Sequence, residues 1–221
     1  MRNFIKFMKN SKVKATIILI FLLILYTSIC ALNYAQAISS NISSNVFRLH
    51  VIANSNSDED QNLKYLVRDS LLEYMNKISD NISSKEEAIS IVYNNIDNFK
   101  EIALNTIREN GFDYDVNINI GNFYFPTKYY GDISFPAGMY DALKVEIGNA
   151  DGRNWWCVMF PSLCFIDVTS GVVEEDSKQL LEDNLSDESY SIVSDTESNE
   201  FKFKFKILEF FNSNDLFAFK K

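Results

Sequence analysis

The chain has 221 residues, with 21 Lys and Arg against 30 Asp and Glu, a formal net charge of −9. Five of the basic residues (Arg2, Lys6, Lys9, Lys12, Lys14) precede every acid, so from position 38 onward all 30 acidic residues face the remaining 16 basic ones, a net −14. A surface of that sign repels phosphate backbones and anionic lipid heads, which excludes nucleic acid as a partner class.

The basic start is followed by an uncharged run from Ala15 to Leu32, the pattern that sends a chain to the membrane with its N-terminus kept in the cytoplasm. Two readings stay open. Ala35-Gln36-Ala37 has the small-x-small form of a signal-peptidase site, which makes 1–37 a cleaved signal peptide; uncleaved, the same run is a membrane anchor. A lipoprotein reading of Cys30 is opposed by the bulky Ile29 before it. In either case the rest of the chain lies outside the cytoplasm, where disulfides are permitted, and it is long enough for one domain with its own core.

Residues 38–45, ISSNISSN, read as a polar tether before an α+β domain over 46–171. Phe47, Leu49, Val51 and Ala53 alternate with Arg48, His50 and Ile52, a strand with one buried face. Ser57 caps a helix whose first turn holds Asp58, Glu59 and Asp60, and whose stripe is Leu63, Leu66, Val67, Leu71, Tyr74 and Ile78. Ser84-x-x-Glu87 opens a second helix with Ala88, Ile91, Val92, Phe99, Ile102, Ala103 and Ile107 inward, stopped at Asn110-Gly111. The period then changes to two. Val116, Ile118 and Ile120 are out of phase with Phe123 and Phe125, which predicts a bulge at Gly121. Leu143, Val145 and Ile147 form another strand, Gly148 to Gly152 a hairpin turn, and 155–160 (WWCVMF) a central strand covered on both sides.

Residues 172–199 hold nine acids against Lys178 alone, which predicts a flexible acidic segment, with room for a short helix around Leu180, Leu181 and Leu185. Phe201 to Ile207 alternates strictly with lysine, which makes 200–221 a terminal strand that completes the domain. The expected fold is α+β: a mainly antiparallel sheet with two helices on one face, behind an N-terminal signal or anchor helix.

Catalytic equipment is sparse. His50 is the single histidine, and the alternation makes it an exposed or half-exposed strand residue; a dyad with Cys157 requires the fold to bring the two together. One histidine and two exported cysteines fall short of a zinc ligand set, so no metal or other cofactor is expected. Cys157 and Cys164, with Pro161 between them, are open to a structural disulfide, two buried thiols or a redox pair. Trp155 and Trp156 point to opposite faces of their strand, one into the core and one as an anchor at a partner surface.

Three long strings, FRLHVIANSNSDEDQNLKYLVRD (47–69), FPTKYYGDISFPAGMYDALKVEIG (125–148) and GRNWWCVMFPSLCF (152–165), resemble the stage II sporulation protein R family of endospore-forming bacteria, over about residues 45–170. The resemblance implies a signalling protein that is made in the forespore and exported to the space between the forespore and mother-cell membranes. There it would activate a membrane-embedded aspartic protease that processes the mother-cell sigma factor precursor. The residues expected to meet such a partner are Arg48, His50 and Asn54, then Lys128, Tyr129 and Tyr130, then Arg153, Asn154 and one of Trp155 and Trp156. The alternative is a secreted or anchored hydrolase that uses Cys157.

Overall fold

A computed structural model describes residues 11–79, 82–164, 173 and 175–194. The chain divides into two compact units, 1–38 and 39–221. Helix α1 runs Ser11–Asn45, and its apolar part is the one helix among the described residues long and apolar enough to cross a membrane. At 1.5 Å per residue the uncharged stretch Ala15–Leu32 spans roughly 27 Å, close to a hydrocarbon core. Ile17 to Tyr26 are all exposed, which suits a lipid or signal-recognition environment. Residues 38–45, expected as a polar tether, continue the helix although six of the eight are Ser or Asn, and Ile42 among them is fully buried.

The second unit is built on a four-stranded sheet ordered β2-β5-β1-β6, from β1 (Phe47–Ile52), β2 (Val116–Phe125), β5 (Gly138–Ile147) and β6 (Asn154–Phe160). The sheet is mixed: β1 lies parallel to β5, and the other two pairs are antiparallel. A short hairpin of β3 (Lys128–Tyr130) and β4 (Ile133–Phe135) forms a second sheet.

Helix α2 (Asp58–Ile78) starts where expected, with the Ser57 hydroxyl accepting from the Asp60 N–H at 3.2 Å. Its buried stripe is Leu63, Val67, Leu71 and Met75 with Leu72, while Leu66 faces solvent. The expected second helix is two, α3 (Lys85–Asn94) and α4 (Ile96–Glu109), separated at Asn95, whose side-chain amide donates to the Ile91 carbonyl and ends the first. Phe99, Ala103 and Ile107 bury the inner stripe of α4. Helices α2 and α3 contact β1, and α4 contacts β2. Lys85 fastens the start of α3, with an ion pair to Asp141 at 2.6 Å and a hydrogen bond to the Ser43 carbonyl.

Two local expectations, at Gly121 and at β6, are corrected. β2 pairs one-for-one with β5 along its whole length, so Gly121 makes no bulge. The phase change arises because Val116, Ile118 and Ile120 face the helix side while Phe123 and Phe125 face the other side of the same unbroken strand. β6 is an edge strand among the described residues, and the central position belongs to β1, all six of whose residues are buried. The acidic segment is helical where described: α5 (Glu175–Asn184) holds Leu180 and Leu181, where a short helix had room, α6 (Asp187–Ser194) follows it, and Leu181, Ile192 and Val193 give the pair a buried side. Lys178 pairs with Asp132 at 2.7 Å in the β3–β4 turn, and α6 contacts β4. The expected terminal strand at 200–221 lies outside the described residues.

Candidate functional site

The residues expected to meet a partner do not form one surface, because the sheet separates them. On the face away from the helices, the register sets Arg48, His50, Trp156 and Asn154 together. Arg48 is fully buried; its guanidinium lies 4.2 Å from the centre of the Phe125 ring and 4.7 Å from that of Tyr140, and Nη2 donates to the Tyr130 hydroxyl at 2.7 Å. The β3–β4 hairpin closes this box with Tyr130 and Phe135. What the sequence presents as a loop is therefore a hairpin whose Tyr130 points inward and whose Tyr129 is 64% exposed. Burial pushes the Tyr130 and Tyr140 phenols up, so both stay protonated and donate, to the Trp156 and Pro136 carbonyls.

His50 is buried and not exposed, because central β1 has neighbours on both edges and Trp156 stacks on its imidazole at 3.6 Å. Nε2 donates to the Asn154 side-chain oxygen at 2.8 Å, and Nδ1 is buried without a partner among the described residues. A second ring proton would have no acceptor. Burial first, with Lys144 adding to it against Asn154 and Glu146, lowers the His50 pKa to about 4. Between pH 6.5 and 4 the unfolded chain then binds the proton and the folded one does not, so stability is full above 6.5 and is lost as pH falls through that window. After allowance for solvent screening, the loss is about 2 kcal/mol. Urea denaturation at pH 7 and 4.5 should show it in the wild type and much less in His50→Gln, and the lone histidine ring signal should titrate near pH 4. A midpoint near 6.5 would contradict the burial argument.

Cys157 pairs with Leu49 on the helix side, opposite His50, and is joined to Cys164 with a Cα–Cα distance of 5.1 Å. The sheet thus keeps the dyad of the hydrolase reading apart. So short a loop adds about 2.5 kcal/mol by the chain-entropy account. Among the described residues, no group of three or more His, Cys, Asp or Glu side chains is placed to hold a metal ion.

Asn54 proves to be a fastener. Its amide nitrogen donates to Asp60 at 2.8 Å, and its oxygen accepts from the Asn149 N–H at 2.9 Å. Hydrogen bonds to Asp60 hold its carboxyl below the usual range against the opposing effect of burial, the largest single influence on it. Next to it the Asn56 oxygen accepts from the Arg153 N–H, and the Gly152 N–H donates to the Ala53 carbonyl. The strings around 53–60 and 148–153 are thus one interlocked clamp between the exit of β1 and the β5–β6 turn.

From this clamp Arg153 emerges on the helix side of the sheet edge, beside residues that sequence reasoning did not select. Lys64 on α2 is 1% exposed and donates to Gln61 Oε1 at 2.7 Å and to the Arg153 carbonyl at 3.1 Å. Arg68, one turn on, stacks 4.3 Å from the centre of the Trp155 ring and pairs with Asp69 at 2.6 Å; Tyr65 meets Trp155 edge-on at 5.4 Å. Burial, then Arg153 and Arg68, lower the Lys64 pKa to about 8. The available signal was its spacing alone, three residues before Val67 and seven before Leu71, which puts it on the inward side of the helix. Lys128 is half-buried in β3 and has no part in either group.

An α+β domain behind an apolar N-terminal helix that fits a signal or an anchor defines the class of this protein. The family model for stage II sporulation protein R matches residues 43–170, and the chain belongs to that family. It is 39% identical over 140 residues to stage II sporulation protein R of Bacillus subtilis (strain 168), an alignment covering 62% of each chain. The match thus spans less than two thirds of that relative's length. No solved structure matches.

Proposed function

We propose that the protein is an exported signal of endospore formation that activates a membrane-embedded aspartic protease, which then processes the mother-cell sigma factor precursor. Its place of action is the space between the forespore and mother-cell membranes, reached through the N-terminal apolar helix, and it carries no catalytic residue of its own. The observation that supports this reading most is the coincidence of the family match, 43–170, with the clamp, the sheet and the paired cysteines, directly behind an apolar helix. The hydrolase alternative finds little support, since Cys157 is bonded and lies across the sheet from His50.

Co-expression of the full chain with the candidate protease and the sigma precursor in a non-sporulating host tests the proposal. Processing should require all three, and trapping the chain in the cytoplasm by deletion of 1–37 should abolish it. Cleavage of the precursor by the purified chain alone, or full processing by the trapped form, would overturn it.

A further inference from the structure

Lys64, Arg68 and Arg153 bring three cations together in a domain whose net charge is −14, and among the described residues Asp69 is the one carboxylate paired with them. The two acceptors that Lys64 uses, the Gln61 amide oxygen and the Arg153 carbonyl, are neutral, and its ammonium lies 4.6 Å from the centre of the Tyr65 ring, so among the described residues no carboxylate pairs with it. The Trp155 Nε1–H beside them is also buried, with no acceptor among the described residues. The group is rich in donors and poor in acceptors, and a buried ammonium without an anion is a costly arrangement for folding alone. It is also held rigidly: the Arg153 N–H is fixed by Asn56 and its carbonyl by Lys64, while its side chain is exposed. Tyr65 and Leu66 flank it on α2, 37% and 43% exposed.

We propose that the Lys64–Arg68–Arg153–Trp155 cluster is the surface that receives an Asp or Glu side chain from an extracytoplasmic segment of the partner protein. The proposal rests on the signalling reading above and adds the partner's chemistry to it. A carboxylate offers up to four acceptor positions to these donors, and its short apolar stem suits the Tyr65 and Trp155 rings. An arginine and a tryptophan on a pre-organised backbone, ringed by half-exposed apolar side chains, also have the make-up of an interface hot spot. An anionic lipid surface is a poorer occupant, since it would repel the surrounding domain.

The full chain in neutral detergent micelles is titrated with a blocked octapeptide containing four Asp and Glu residues, and with its Asn and Gln counterpart. The acidic peptide should bind at least tenfold more tightly and change a tryptophan fluorescence that survives Trp156→Phe and disappears in Trp155→Phe. Arg153→Glu and Lys64→Met should each weaken this binding at least tenfold, and Arg153→Glu should leave the melting temperature unchanged. In the co-expression assay Arg153→Glu should reduce processing at least tenfold, and an Asp or Glu to Lys change in the protease's extracytoplasmic region should restore it. Equal binding of both peptides, the same fluorescence change with phosphatidylglycerol vesicles, or undiminished processing by Arg153→Glu would overturn the proposal. Loss of processing by the wild type would instead sink the signalling reading, and the peptide titration would still decide whether the cluster takes a carboxylate.

Discussion

Replacing Gly152 with alanine should lower the stability of the exported domain by about 3 kcal/mol. A Cβ at this position would run into the Ser55 carbonyl oxygen and would lie 2.7 Å from the Ser55 carbonyl carbon and 2.8 Å from the Ala53 Cβ. Two of these are backbone atoms, so no side-chain rotation relieves the clash. Nor can residue 152 draw back freely, because its N–H donates to the Ala53 carbonyl at 2.9 Å and the Asp151 N–H to the Asn54 carbonyl at 3.1 Å. Relaxation would therefore break the clamp that sets the start of α2 and positions Arg153. In a domain of this size the loss corresponds to roughly 6–12 °C in Tm. Gly148→Ala makes a useful comparison. Its φ of +56° already disfavours a side chain, but the added atom meets the Asn54 side chain, which can move at the expense of its bonds to Asn149 and Asp60. Urea denaturation of both variants measures the difference, and a change below about 1 kcal/mol for Gly152→Ala would mean that the clamp is pliable.

Features decided by neighbours in the chain were legible in the sequence. Ser57 and Ser84 cap their helices because the first N–H groups of any helix need acceptors close by. The helix stop at Gly111, with φ of +83°, is equally local. What was not legible depends on distant partners. Alternation along β1 marks one face as apolar, but whether the other face meets water is decided by Trp156 and by the β3–β4 hairpin, about 80 or more residues away. Arg48 and His50 therefore read as exposed and are buried. The edge position of β6 likewise follows from the pairing order, which its apolar composition does not encode. Asn95 divides a helix without any proline or glycine, through a side-chain bond to Ile91 that competes with the helix ladder. Lys64 was hidden for the opposite reason: in a helix pattern a lysine reads as solvated, and only the packing of β6 against α2 buries it.

Arg48 yields the sharpest contrast between two substitutions at one position. Arg48→Ala should lower stability by about 3–4 kcal/mol, since it empties a fully enclosed space among Phe125, Phe135, Tyr130 and Tyr140. Arg48→Met should stay within about 1 kcal/mol of the wild type. The guanidinium gains from the aromatic rings, an attraction worth roughly 2 kcal/mol when desolvated, and from one hydrogen bond to Tyr130. Against this, Nε and Nη1 are buried with no acceptor, and no carboxylate pairs with Arg48 among the described residues. Leaving such donors dry costs about as much as the rings return. A thioether of similar length fills the same box, keeps contact with the rings and strands no donor. Tyr130 loses a donor to its hydroxyl but keeps its own bond to the Trp156 carbonyl, so the hairpin should remain seated. Urea denaturation ranks the two variants, and the co-expression assay should find processing retained with Arg48→Met and reduced with Arg48→Ala. If methionine destabilised the domain as much as alanine, the charge would outweigh shape in holding the hairpin to the sheet. If methionine kept the fold but lost processing, the buried guanidinium would belong to the recognition machinery and not to the core alone.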